Sequence, residues 1–190
     1  MRIGVLALQG AVAEHVKAIQ AVGAEAFIVK NKQDLSYIDG LLLPGGESTA
    51  IRQLIDYHDM LTALQTFASS KPVFGTCAGL ILLAETIEGQ STHIGAMRIT
   101  ARRNAFGRQV NSFETALRIR SISDAFPAIF IRAPKIVAVQ EGVEVLATYQ
   151  DEIVCARDRH LLACSFHPEL TNDLSLMHYF LQIIEEHVPV

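Results

Sequence analysis

Charge and cysteine are both scarce in this 190-residue chain: 19% of its residues are charged, and it has three cysteines. Each scarcity excludes something. Cys77, Cys155 and Cys164 form no C-x-x-C pair, and any bridging scheme leaves one over. Neither a disulfide framework nor a zinc framework is available, and free thiols in a reducing cytoplasm are expected. No apolar stretch approaches the roughly 20 residues of a membrane span. The apolar run from Ile3 to Leu8 is shorter than a signal-peptide core and is broken by Gln9 and Gly10, so it reads as a first strand. With 16 Lys plus Arg against 20 Asp plus Glu, the net charge is −4. There is thus no global attraction to nucleic acid or to an anionic membrane. Arg98, Arg102, Arg103 and Arg108 form the one local basic run.

Half of the chain is hydrophobic, which favours a largely buried sheet. Val12, Val16, Ile19 and Val22 share a helical face that Gly23 closes. Next come the strands "AFIVK" and "GLLLP", a helix carrying Ile51, Leu54, Ile55, Leu61 and Leu64, the strand "PVFG", and a helix from about Ala78 to Ile87. Strand and helix alternating at this spacing predict an α/β fold with a parallel sheet covered on both faces. From Ile94 to Phe166 the pattern turns to strands, among them "ALRIRSI", "AIFIRA", "VEVLATY", "EIVCARD" and "LLACSF". A last helix, Leu174 to Val188, carries an apolar stripe suited to core packing. Nothing along residues 1–190 separates one domain from another, and a single domain is expected.

The stretch "FGTCAG", residues 74 to 79, sets Cys77 between Gly75 and Gly79 at a strand-helix junction. G-x-C-x-G is the cysteine counterpart of the nucleophile elbow: the turn is sharp enough to lift a side chain above the sheet, and flanking glycines remove what would collide. A thiol at a helix N-terminus also faces unpaired N–H groups, which favour the thiolate. The competing reading is a small residue packed in a turn.

A nucleophilic cysteine needs a base, and the base needs a partner that holds its tautomer. In "CSFHPEL", His167 follows a strand and Glu169 lies two residues on. On an extended segment the two side chains point the same way, and Pro168 stiffens the backbone between them. The bland alternative is a strand-end histidine with a solvated glutamate, and for the other six histidines (15, 58, 93, 160, 178 and 187) that reading without chemistry is preferred. "LLLPGGES" ends a strand at Leu43 and opens a Pro44-Gly45-Gly46 loop, with Glu47 or Ser48 placed to cap the next helix. N–H groups of this loop, with that of Ala78, would supply two oxyanion donors; a plain P-G-G turn is the alternative.

"LQGA" with "EH" at 14 and 15, "PGGEST" at 44 to 49, "GTCAG" at 75 to 79, "RNAFGRQ" at 103 to 109, "FIRAP" at 130 to 134 and "SFHPEL" at 165 to 170 occur in order along nearly the whole chain. Together they resemble the glutaminase subunits of pyridoxal 5'-phosphate synthases, the vitamin B6 branch of the class I glutamine amidotransferases. The resemblance implies a flavodoxin-like three-layer α/β sandwich, its central sheet mostly parallel with helices on both faces. It implies hydrolysis of L-glutamine to L-glutamate and ammonia, with Cys77 as nucleophile, His167 as acid and base, and Glu169 orienting His167. Gly46, Glu47 and Ser48 match the glutamine-contacting segment, Gly46 and Ala78 the oxyanion donors, and Arg103, Ile131 and Arg132 the remaining glutamine contacts. Guanidinium suits the α-carboxylate of glutamine. No metal or organic cofactor is implied. The partner implied is a β/α-barrel synthase subunit in a large heteromeric complex, which receives the ammonia directly.

Two readings of other classes remain. One is a different cysteine-elbow protein of similar fold, a peptidase or a redox-responsive protein, against which "PGGES" and the His167–Glu169 pair argue. The other is a silent regulatory subunit, which the complete set Cys77, His167 and Glu169 disfavours.

Overall fold

The computed structural model describes residues 1–103 and 112–187. In chain order its elements are β1 (Arg2–Leu6), α1 (Val12–Ala21), β2 (Glu25–Val29), a 3-10 turn (Lys32–Tyr37), β3 (Gly40–Leu43), α2 (Ser48–Tyr57), α3 (Leu61–Ser70), β4 (Val73–Thr76) and α4 (Ala78–Leu83). They continue with β5 (Ala84–Ile87), β6 (Met97–Arg102), β7 (Ser112–Ile119), β8 (Ser123–Ile131), β9 (Lys135–Val139), β10 (Glu144–Tyr149), β11 (Glu152–Asp158), β12 (Leu161–Cys164), a second 3-10 turn (Pro168–Leu170) and α5 (Ser175–His187).

One twisted sheet organises the molecule, in the order β2-β1-β3-β4-β12-β11-β9-β6-β5, with β10 added against β11. The first five strands run parallel. Beyond β12 the sheet turns antiparallel through β11, β9 and β6, and β5 closes the edge parallel to β6. Strands β7 and β8 form a separate antiparallel ribbon.

The parallel strands are buried on both faces, and their alternation sorts them into two apolar layers. Ile3, Val5, Leu42, Phe74 and Leu162 pack with Ile19 of α1 and with Leu176, Phe180 and Ile184 of α5. Leu6, Leu41, Leu43 and Val73 face the other way, onto Ile51 and Ile55 of α2, Leu64 of α3 and the apolar α4. This is the three-layer, flavodoxin-like arrangement expected.

Two expected helices are divided. The run from Ile51 to Leu64 is two helices, because the chain turns through Asp59 at φ 52° between α2 and α3. The helix expected from Ala78 to Ile87 ends at Leu83, and residues 84–87 become edge strand β5. Its strand pairing with β6 overrides the helical spacing of the apolar residues. Val188, expected to end the last helix, lies outside the described residues. Gly23 follows the C-cap of α1 at φ 79°, a left-handed conformation that glycine takes without steric penalty.

Candidate active site

Adjacent strands end side by side and carry the site above them. Leu43 pairs with Gly75 between β3 and β4, and Cys164 pairs with Thr76 between β12 and β4. The Pro44-Gly45-Gly46 loop, Cys77 and the segment reaching His167 therefore leave the sheet together at the carboxyl ends of its parallel strands, where α/β folds open their crevices. The loop after β1 joins them there. A cleft of ≈ 450 Å³ lies over this crest, lined among others by Gly46, Glu47, Ser48, Cys77, Ala78, Arg103, Ile131, Arg132 and His167.

Cys77 sits at the N-cap of α4 with φ 50° and ψ −103°, a conformation that costs a non-glycine residue on the order of 1–3 kcal/mol. The flanking glycines make the elbow possible. A Cβ on Gly75 would come within 2.5 Å of the Gly79 backbone, and one on Gly79 would collide with the Leu43 carbonyl. The Cys77 N–H donates to the Cys164 carbonyl at 2.8 Å. That leaves the amide of Ala78, at the first helical position, as the elbow donor free of strand pairing. Cys77 as a residue is less open than its place on an elbow suggests, at 6% exposure. Its Sγ–H makes a long contact of 3.9 Å to the Ile131 carbonyl.

His167 caps the turn Pro168–Leu170, and its Nδ1 lies 2.8 Å from Glu169 Oε1. The route differs from the extended one expected: a 3-10 turn folds Glu169 back onto the ring, with Pro168 in the first helical position that it favours. Burial alone would lower the pKa of His167. The hydrogen-bonding influences of Cys77 and Glu169 outweigh it and raise the pKa to about 10. Burial likewise opposes ionisation of Glu169, but the His167 hydrogen bond holds the carboxyl below its usual range. Glu169 does not line the cleft; its side chain is fully buried behind His167.

Glu47 is the N-cap of α2, accepting from the N–H groups of Thr49 and Ala50. Slight burial works against its charge, yet those two donors and Arg103 keep it below the ordinary carboxylate value. Arg103 donates to Glu47 Oε1 at 2.8 Å and to Thr49 Oγ1 at 3.1 Å. Ser48 is buried, and its hydroxyl has no hydrogen-bond partner. Arg132 follows β8 at φ 45°, a second strained residue on the cleft wall. The rest of the basic run disperses: Arg98 pairs with buried Asp158 and Arg102 with Glu88. Residues 104–109 of "RNAFGRQ", with Arg108, lie outside the described residues.

Two polar residues not singled out from the sequence stand close to this group. Gln9 accepts from the Glu47 N–H at 2.9 Å and lies where a Cβ on Gly46 would fall. His15, for which the sequence suggests no chemical role, lies on α1 rather than at a strand end and is fully buried, with Nε2 3.1 Å from Thr76 Oγ1 and 3.7 Å from Glu169 Oε2. Both fall in the stretches "LQGA" and "EH", which carry no local pattern of their own. Among the described residues, no cluster of three or more His, Cys, Asp or Glu is arranged to hold a metal ion. No helix there is long and apolar enough to cross a membrane.

The SNO glutamine amidotransferase family matches residues 5–186. A pyridoxal 5'-phosphate synthase subunit PdxT from Geobacillus kaustophilus is 58% identical, covering 98% of this chain and 96% of the relative. One from Bacillus thuringiensis strain Al Hakam is 56% identical with the same coverage. A crystal structure of a glutamine amidotransferase matches with a TM-score of 0.91 at 43% identity, covering 96% of this chain and 98% of that one. Matched over nearly its whole length, the chain belongs to the SNO glutamine amidotransferase family.

Proposed function

We propose that the chain hydrolyses L-glutamine to L-glutamate and ammonia through Cys77, His167 and Glu169, and delivers the ammonia to a separate synthase subunit that makes pyridoxal 5'-phosphate. The observation that carries this is geometric: the His167 ring, hydrogen-bonded to Glu169 at 2.8 Å, lines one cleft with the strained elbow cysteine, and the raised pKa of the ring favours its protonated form. A protonated ring stabilises negative charge on the sulfur and is ready to donate to a departing amine.

The thiolate attacks the side-chain amide carbon. The amides of Gly46 and Ala78 receive the oxyanion, and His167 gives its proton to the leaving ammonia. The neutral ring then removes a proton from water, which attacks the thioester and releases glutamate. Glu169 keeps the proton on Nδ1 and Nε2 toward the sulfur. Arg103 and Arg132 supply guanidinium for the α-carboxylate of glutamine, and Glu47 and Ser48 line the same cleft, Glu47 in contact with Arg103. No step requires a metal or an organic cofactor.

The relatives' name places them in pyridoxal 5'-phosphate synthase, and the β/α-barrel synthase subunit is the proposed partner here. Free ammonia at neutral pH is mostly ammonium and no longer a nucleophile, so an enclosed route between subunits preserves reactivity. The three free cysteines suit the cytoplasm. The test is glutamate release by the chain with its synthase subunit, together with labelling by a glutamine-like electrophile. Cys77 should be modified and the fully buried Cys155 and Cys164 spared. Labelling of Cys155 or Cys164, or undiminished glutamate release after Cys77→Ala, would overturn the assignment.

A further inference from the structure

His167 uses one oxygen of Glu169; the other, Oε2, is buried and has no hydrogen-bond partner. An unserved carboxylate oxygen in a buried site is costly, and it leaves the carboxylate free to rotate away from the ring it orients. A polar group nonetheless faces it, the His15 Nε2 at 3.7 Å. We propose that His15 is a positioning residue for Glu169, its Nε2–H anchored on Thr76 and directed at the oxygen that His167 leaves over. This rests on the glutaminase reading above.

The tautomer follows from the surroundings. His15 Nδ1 is buried without a partner. A proton there would be an orphan donor in an apolar site, and the bare Nε2 would turn its lone pair on a carboxylate. With the proton on Nε2 the repulsion is removed, what stays unserved at Nδ1 is a lone pair rather than a proton, and the N–H is shared between the Thr76 hydroxyl and Glu169. Burial lowers the imidazole pKa; Glu169 opposes this, nearby His167 reinforces it, and Glu14 on the same helix opposes it. The ring is thus a neutral donor at pH 7. A neutral donor steadies the carboxylate without neutralising the charge that His167 needs. The placement is also mechanically economical, since Thr76 precedes Cys77 and His15 thereby ties α1 to the strand end that presents the nucleophile. At 3.7 Å the Glu169 contact is longer than a hydrogen bond, as such contacts in unliganded sites often are before substrate tightens them.

The experiment compares His15→Leu and His15→Gln with the parental chain, each assembled with the synthase subunit and assayed for glutamate release across pH. Leucine removes the donor; glutamine restores an N–H near the Nε2 position. His15→Leu should lower kcat roughly 10-fold to 100-fold, by analogy with the loss when an outer partner that orients a site ligand is removed. KM for glutamine should change less than about twofold, because no substrate contact is lost. The acidic limb of the kcat/KM profile should shift, and His15→Gln should recover most of the rate. In a Glu169→Gln background, His15→Leu should add nothing further, whereas a packing defect would add its full cost. Unchanged kcat and pH profile in both variants, an additive double variant, or failure of both variants to fold would overturn the inference while leaving the glutaminase reading intact. A parental complex that released no glutamate would overturn that reading and this inference with it.

Discussion

The Ala11 N–H donates to the Gly45 carbonyl at 3.1 Å, joining the start of α1 to the glycine loop beside the nucleophile. Across a trans peptide the carbonyl and the following N–H point opposite ways, so this bond also sets the direction of the Gly46 amide, one of the two proposed oxyanion donors. Gly10 sits tightly against the same carbonyl, at φ 110°.

Gly10→Ala is therefore expected to displace the glycine loop, since the new methyl would occupy the space of the Gly45 carbonyl in a backbone conformation alanine resists. Gly45→Ala should act more directly, its Cβ falling 2.5 Å from His167 Cε1. Both should lower kcat by at least about 10²-fold, the cost of one missing oxyanion donor. Steady-state kinetics with circular dichroism as the fold control decides; parental kcat in either variant would contradict the loop's role.

Replacing Cys77 by Ala or Ser should abolish glutamine hydrolysis, with His167→Asn nearly as damaging and Glu169→Gln less so. Stability should move independently. Because Cys77 holds φ 50°, Cys77→Gly should be more stable than Cys77→Ala by roughly 1 kcal/mol of relieved strain, and unfold at a higher temperature. A glycine variant less stable than the alanine one would show that the elbow is not strained.

Arg103 and Arg132 should act in binding. Truncating either should mainly raise KM for glutamine, since a carboxylate held by arginine is bound alike in the ground and transition states. Arg103→Lys should restore little of the affinity, because an ammonium cannot reproduce the paired donors that reach Glu47 and Thr49. Unchanged KM in both truncations would return these arginines to the class of solvated surface charges.

Stability should be greatest near neutral pH. His15, His93 and His160 are lowered chiefly by burial, so the stability they contribute is present above the unfolded value of 6.5 and lost as pH falls through their folded values. His167 has the opposite sign: raised to about 10, its contribution is complete below 6.5 and is lost as pH rises through 10. Burial also raises Cys155 and Cys164, whose contributions are lost above the unfolded thiol value of 9.0. Thermal midpoints across pH should form a dome; a midpoint that rose steadily from about pH 7 to 5 would refute the histidine assignments.

The chain alone should hydrolyse glutamine slowly, and the synthase subunit should accelerate it. Consecutive glycines let a peptide plane turn at little steric cost, so the Gly46 amide can be oriented by a partner. For docking to switch the site on, the synthase must bind the donor-inward loop more tightly, and linkage then requires glutamine to strengthen the complex. Complex affinity measured with and without glutamine, using Cys77→Ala, tests this. Full activity of the lone chain would place control elsewhere.

Cys77, His167 and the P-G-G loop were legible because their geometry is encoded locally, in glycine spacing and strand ends. Glu169 was legible by proximity in sequence, though the fold reaches His167 through a turn rather than an extended segment. His15 and Gln9 were not, because a lone polar residue near the start of a helix acquires meaning only when another element packs onto it. Strands β6 and β9 carry no clear local signal for a related reason: they pair with each other across a long stretch of sequence, with a register shift between them. Arg103 stands out locally only as one of a basic run, and its proposed contact with glutamine rests on the likeness to a known family.

The bond from the Cys77 amide to Cys164 has a kinetic corollary. That N–H is the last rung joining the ends of β4 and β12, and it exposes its proton to water when those two strand ends part. Amide exchange at the nucleophile therefore gauges how often the crest beneath the cleft opens, and slower exchange with a ligand bound would measure how far that ligand clamps the strand ends together.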